Sequence, residues 1–212
     1  GYNCTVNTYC TFTPGGNFNI ITGENRYDMF GNGCEINDSS IPNLKYNINT
    51  NNSNSQIISN GIGNYFVPVI NGNTILTPII ENPTYFNFSP TTTTVTFPST
   101  ASPFTQDFCI TPNGVHNDLE VIILPLSPAR PGFDATYKII YENKGTNTQS
   151  GTVSLDFYDP IMDLVSVNPN FSSQAINTLN WSFTNLLPFE TREIEVVFNL
   201  NSPTEMPAVN AG

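Results

Sequence analysis

Positive charge is what this sequence has least of. Six Lys and Arg stand against 17 Asp and Glu in 212 residues, with a single His, for a formal net charge of −11. Neutralising phosphates takes clustered cations, so a nucleic-acid partner is not expected. An anionic membrane surface is disfavoured on the same ground. Long apolar runs are missing too: none approaches the roughly 20 residues that a helix needs to cross a bilayer, so no direct membrane insertion is expected. Catalytic signatures are absent. The chain has no G-x-S-x-G elbow, H-E-x-x-H pair, P-loop or G-x-G-x-x-G. The lone His116 has no partner motif, and the acids lack a spacing that fixes a catalytic pair, so the chain is not read as an enzyme. Helical periodicity never lasts beyond two turns. Only 11% of residues are charged, less than half of the usual share of about 25%.

Polarity comes instead from Asn, Thr and Ser, which favour turns and strands over helix interiors. The second half alternates clearly. "ATYKIIYENKG" places Tyr137, Ile139 and Tyr141 on one face, and "GTVSLDFYD" does so for Val153, Leu155 and Phe157. "LNWSFTN" aligns Leu179, Trp181 and Phe183, and "REIEVVFNL" aligns Ile194, Val196, Phe198 and Leu200. A period of two marks half-buried antiparallel strands. It makes Trp181 a core residue rather than a sugar platform. The first half is more broken, but "NFNIITG", "NLKYNINT", "SQIIS", "NYFVPVI", "NTILTPII", "TYFNFS", "TTVTFP" and "TQDFCIT" read as short strands between Gly, Asn, Pro and Ser. The expectation is all-β: two tandem antiparallel β-sandwiches, the first over 17–111 and the second over 118–212. Residues 112–117, in "TPNGVHND", are the expected linker.

"TYCTFTPGGNF" and "DFCITPNGVHN", about 100 residues apart, share an aromatic, a Cys and a following Pro and Gly. Residues 1–16 are therefore expected to be the end of a preceding module or an N-terminal arm. The chain is read as a segment of a longer protein, with neighbouring domains of that polypeptide as its first partners. Cys4, Cys10, Cys34 and Cys109 form no C-x-x-C pair, which argues against zinc. An even count in such a chain reads as disulfides in an extracellular protein. Three connectivities are open, and Cys4–Cys10 with Cys34–Cys109 is the favoured one. Six N-x-S/T sequons, Asn37 and Asn180 among them, add little.

From Asn17 to about Ile110, Asp28, Asn32-Gly33, Ile41-Pro42-Asn43-Leu44 and Gly63-Asn64-Tyr65-Phe66 follow one another in an order that resembles prealbumin-like B-type repeats of bacterial surface proteins. Cna-B and serine-aspartate-repeat domains are the relatives meant. From about Asp118 to Pro207, the order of Pro131-Gly132, Tyr137, Ile139, Asn143, Gly145, Trp181 and Leu187-Pro188 resembles the Ig-like "conserved repeat" module of secreted bacterial proteins. The combination is similar to a region of Bacteroidetes exoproteins exported by type nine secretion.

The resemblance implies sites to look for. B-type repeats often hold calcium in an EF-hand-like loop, where about six to eight oxygens surround a Gly turn. Counting from Asp28, Asn32 is fifth and Gly33 sixth, as that pattern asks. Phe30 and Ile36, third and ninth, offer no side-chain oxygen, and Ser39 replaces the twelfth-position Glu. Glu35 and Asp38 would complete a shifted set. The candidate calcium ligands are thus Asp28, Asn32, Glu35 and Asp38; the alternative is a Gly-Asn-Gly turn tied down by Cys34. Lys–Asn isopeptide bonds also occur in Cna-B domains, and Lys45 is the sole Lys available in the first sandwich, although its alternation turns it outward.

Three functions compete on these readings. The first is a non-catalytic stalk of a cell-surface protein that spaces or presents other domains. The second is a glycan- or protein-binding module, with Tyr27, Phe30, Tyr65 or Phe86 as an exposed platform. The third is a fibre subunit that self-assembles by adding residues 1–16 as a strand to a neighbour's open edge.

Overall fold

The computed structural model describes residues 18–210. Cys4, Cys10 and the segment 1–16 lie outside the described residues. The chain forms two compact units. The described residues up to Pro83, with Asn87–Thr111, make the first; Thr84–Phe86 and the residues from Pro112 onward make the second. Apart from one 3₁₀ turn at Asp159–Ile161, every regular element among the described residues is a strand.

Ten strands belong to the first half: β1 (Asn19–Tyr27), β2 (Ser39–Ser40), β3 (Lys45–Thr50), β4 (Ser53–Ile58), β5 (Asn64–Val69), β6 (Gly72–Ile79), β7 (Phe86–Ser89), β8 (Thr93–Phe97), β9 (Phe104–Thr105) and β10 (Phe108–Pro112). β3, β4, β6 and β8 form an antiparallel sheet in the order β4-β3-β6-β8. The other sheet is built around β1, which changes partners halfway along. Its first half lies between antiparallel β5 and parallel β9, and its second half between antiparallel β2 and parallel β10. Gly23 sits at the changeover. A Cβ there would meet the Gln106 carbonyl at 1.8 Å, while the Gln106 amide donates to the Thr22 carbonyl at 2.9 Å.

Alternation decides which side chains fill the space between these sheets. Tyr65, Val67 and Val69 of β5, Tyr46 and Ile48 of β3, Val95 and Phe97 of β8, and Phe108 and Ile110 of β10 are all buried. Tyr46 packs against Tyr65 with ring centroids 4.6 Å apart, and both lie beside Phe108. A buried phenol needs a partner. The Tyr46 hydroxyl donates to Asn25 Oδ1 at 2.7 Å, Asn25 Nδ2 donates to the Ile41 carbonyl at 2.6 Å, and the Tyr65 hydroxyl donates to the Gln106 carbonyl. Burial pushes both phenols well above the ordinary tyrosine range.

The second unit holds β11 (Leu119–Pro125), β12 (Asp134–Asn143), β13 (Gln149–Asp156), β14 (Met162–Asn168), β15 (Ser173–Ala175), β16 (Thr178–Leu186) and β17 (Thr191–Leu200). One antiparallel sheet runs β11-β12-β17-β14 and the other β13-β16-β15. Their core contains Ile139, Tyr141, Val153, Leu179, Trp181, Phe183, Ile194, Val196 and Phe198, as alternation predicts, together with Leu186; Tyr137, Leu155, Phe157 and Leu200, expected on the same faces, are only half-buried. Trp181 is 3% exposed, and its indole N–H donates to the Pro169 carbonyl at 2.9 Å. It is a core residue, as its in-phase neighbours imply.

Residues 112–117, expected as a linker, are instead laced to the turn after β12. The His116 amide donates to Thr146 Oγ1 at 2.8 Å, the Thr146 amide donates to the His116 carbonyl at 2.9 Å, and Thr146 Oγ1 donates to the Gly114 carbonyl at 2.9 Å. The His116 ring stacks on Tyr85 at 4.0 Å and donates from Nε2 to the Asn113 carbonyl. Asn143, fully buried, closes the same turn by donating to the Asn147 and Leu186 carbonyls and accepting from the Gly145 amide. A Cβ on Gly145 would meet the His116 carbonyl at 2.3 Å, so the turn requires glycine there.

Candidate functional site

The loop between β1 and β2, with its flanks, carries the acids that the sequence singles out. Asp28 follows the last residue of β1 and is 1% exposed. A buried carboxylate is tolerated only if it is paired or hydrogen-bonded. Here the backbone wraps around it: the amides of Phe30, Gly31 and Asn32 donate to Oδ1 at 3.2, 2.7 and 3.2 Å, and the Gly33 amide donates to Oδ2 at 2.7 Å. Gly31 and Gly33 have φ of 70° and 99°, a region that glycine enters freely, and this turns successive amides to one side. Burial alone would raise the Asp28 pKa, but the four amides outweigh it and the carboxyl stays below its usual range.

Asp38 works the same way on a smaller scale. Its Oδ2 accepts the Glu35 amide at 2.7 Å, and its own amide donates to the Glu35 carbonyl at 3.0 Å. Arg26 ties the two ends of the loop. Its guanidinium holds Glu24 with two bonds, at 2.8 and 2.9 Å, and donates to the carbonyls of Ile36 and Asp38 at 2.7 and 3.1 Å. The bidentate contact lowers the Glu24 pKa and raises that of Arg26. Cys34 is bonded to Cys109 with their Cα atoms 5.6 Å apart. It is one of the two bridges expected from the sequence; Cys4 and Cys10 are outside the described residues.

The candidate calcium ligands do not converge. Asn32 and Glu35 are exposed, Asp28 is enclosed by amides, and Asp38 is turned to the Glu35 amide. Among the described residues no three His, Cys, Asp or Glu side chains gather as a metal set would require. A cradle of N–H groups is polarised for an anion, and the Asp28 carboxylate is that anion. The donor set does not fit a hard cation. Asp28, Asn32, Glu35 and Asp38 serve or border a self-closed turn.

The proposed aromatic platform also separates. Tyr27, Tyr65 and Phe86 are 2%, 4% and 4% exposed, because each falls on an inward position of its strand. Burial pushes the Tyr27 hydroxyl up to about 12. Phe30 alone stands out, 84% exposed, with Ile36 at 82% on the same loop. Lys45 is exposed, as its alternation implies, whereas its neighbour Tyr46 faces inward.

The role of Arg26 has one signal in the sequence: Glu24 and Arg26, two apart on a strand, share a face. The parallel pairing of β1 with β9 and β10 had no local signal, since it depends on where the far end of the unit returns.

No family model matches the chain, and no curated protein does. Among solved structures, a DUF3823 family protein from Bacteroides ovatus is similar over 88% of this chain and 83% of its own, at 14% identity and a TM-score of 0.35. The fimbrial protein FimP from Actinomyces oris matches over 86% of this chain and 57% of its own, at 12% identity and a TM-score of 0.27. A candidate carbohydrate-binding protein from Bacteroides uniformis matches over 84% and 78%, at 10% identity and a TM-score of 0.29. Superpositions this loose bear on neither activity nor partner, and function has to be read from the chain's own residues.

Proposed function

We propose that this chain is a non-catalytic, load-bearing spacer of an extracellular surface protein, which holds neighbouring domains of the same polypeptide at a distance. Type nine-exported Bacteroidetes exoproteins, which its sequence resembles, are the context we assign to it. One observation carries the reading. The first strand of the first unit, β1, pairs in parallel with its last two, β9 and β10. In a parallel pair, the start of one strand and the end of the other lie at opposite ends. Tension between Phe18 and Thr111 therefore runs along the strands and loads their hydrogen bonds together, rather than opening them one by one.

The disulfide reinforces that geometry. Cys109 lies beside Arg26 in the β1–β10 register, and its bond to Cys34 ties β10 to the loop that leaves β1. The ring it closes spans a sequence separation of 75 and cannot pay out under load. A disulfide also fits an oxidising, extracellular compartment. Single-molecule pulling of the first unit tests the reading. Reduction should lengthen the released chain by about 250 Å, at about 3.3 Å per residue. An oxidised unit that pays out its whole length would overturn it.

A second reading has its own observation. Phe30 and Ile36 are largely exposed on a loop locked by Asp28, Arg26 and Cys34, and rigid exposed apolar side chains are what a binding surface offers. Screening glycans and protein partners with the chain and with Phe30→Ser tests it: ligand capture that Phe30→Ser abolishes would make this a binding module.

A further inference from the structure

β11 is built like a central strand but stands at an edge. Its sequence, Leu-Glu-Val-Ile-Ile-Leu-Pro, is apolar on both faces, and all seven residues are exposed. Strands apolar on both sides normally have neighbours. Val121 and Ile123 lie opposite Tyr141 and Ile139 and so project toward the core side, yet they remain 59% and 50% exposed. The facing sheet has three strands against four.

The hydrogen-bonding edge is open as well. The Leu126 amide donates to the Thr136 carbonyl, and the Asp118 carbonyl accepts the Lys144 amide, so the even-numbered backbone groups turn toward β12. In an antiparallel ladder the alternate residues then present theirs outward, here Leu119, Val121 and Ile123. Other edges of this unit are blunted: β14 bulges between Leu164 and Ser166, β13 between Gln149 and Gly151, and β15 has three residues. β11 is seven residues long and its register with β12 has no bulge; its only such devices are Pro125, at its very end, and Glu120.

We infer that β11 is a self-association edge, covered by the β11 of a second copy of this chain. Charge selects that occupant. A body of net charge −11 can meet its own copy only where charge is locally absent, and the one charge on β11, Glu120, is neutralised by Lys144 at 2.6 Å. The strand is also self-complementary. Antiparallel pairing about a two-fold axis at Ile122 sets Val121 opposite Ile123, whose outward N–H and C=O groups then bond mutually. It sets Glu120 opposite Leu124, so the two carboxylates never face each other. The pairing stands whether or not the chain bears load.

Sedimentation velocity over a hundredfold concentration range tests it on the whole chain. A monomer–dimer equilibrium is expected, weakened at least tenfold by Ile123→Pro, which removes an outward N–H and leaves the β12 ladder intact. Unchanged Trp181 emission would show that the variant is folded. Independently, Ile122→Cys should oxidise to a covalent dimer, while Leu126→Cys, far from the axis, should not. A concentration-independent monomer, a dimer indifferent to Ile123→Pro, or equal cross-linking at both positions would overturn the inference. So would a dimer lost only on deleting residues 1–17, which would make that segment the occupant.

Discussion

The Gly33 amide donates to Asp28 Oδ2 at 2.7 Å while three preceding amides share Oδ1. A side chain thus does for this loop what a bound ion does for others. Asp28→Asn puts an NH₂ group among N–H donors and should cost about 1–3 kcal/mol, the scale for buried groups left without a partner. Urea denaturation measures it. An Asn variant as stable as the parent would mean that the amides do not hold the loop.

The same contact sets a pH dependence. The Asp28 pKa is lowered in the folded chain, so its contribution is complete above the unfolded value of about 3.9 and fades as pH falls through the folded value. The gap in urea midpoint between parent and Asp28→Asn should therefore hold at neutral pH and narrow below about pH 4. A gap that is constant down to pH 2 would contradict this.

Calcium should do nothing to this loop. Adding millimolar Ca²⁺, or removing it with a chelator, should leave the melting temperature unchanged. Ca²⁺-dependent stabilisation that Asp28→Asn removes would restore the metal reading that the resemblance suggested.

At Gly23 there is no room for a methyl group beside the Gln106 carbonyl. Gly23→Ala should cost about 1–3 kcal/mol, as overpacked sites do, by prising β9 and β10 from β1. Amide exchange at Gln106, whose N–H donates to the Thr22 carbonyl, should quicken more than exchange in β3 or β6. Equal protection would place the strain elsewhere.

Strand positions and faces were legible in the sequence because alternation is local. Leu179, Trp181 and Phe183 share a buried face as their spacing implies, and Val95 and Phe97 do so even in the broken first half. The candidate site was legible only as composition. The Asp-Met-Phe-Gly-Asn-Gly run contains both the oxygens of a cation loop and the glycines of an amide nest, and the choice depends on which way the peptide planes turn. The aromatics failed for a different reason. Tyr65 heads the inward series with Val67 and Val69, and its phase was visible, but a hydroxyl that finds Gln106 across the sheet was not. Likewise, the Gly and Asn of 112–117 read as a break, whereas Thr146 and Gly145 lie thirty residues away and gather that segment into the second unit.

Pulling the first unit along two different axes tests the central claim most directly. Handles at Phe18 and Thr111 load the parallel β1–β9 and β1–β10 pairs in shear, whereas handles at Phe18 and Phe104, at one end of the same pair, unzip them. A load-bearing unit should resist the first pull with a clearly higher unfolding force than the second, and should release the Cys34–Cys109 ring only after reduction. Equal forces along both axes would contradict the account.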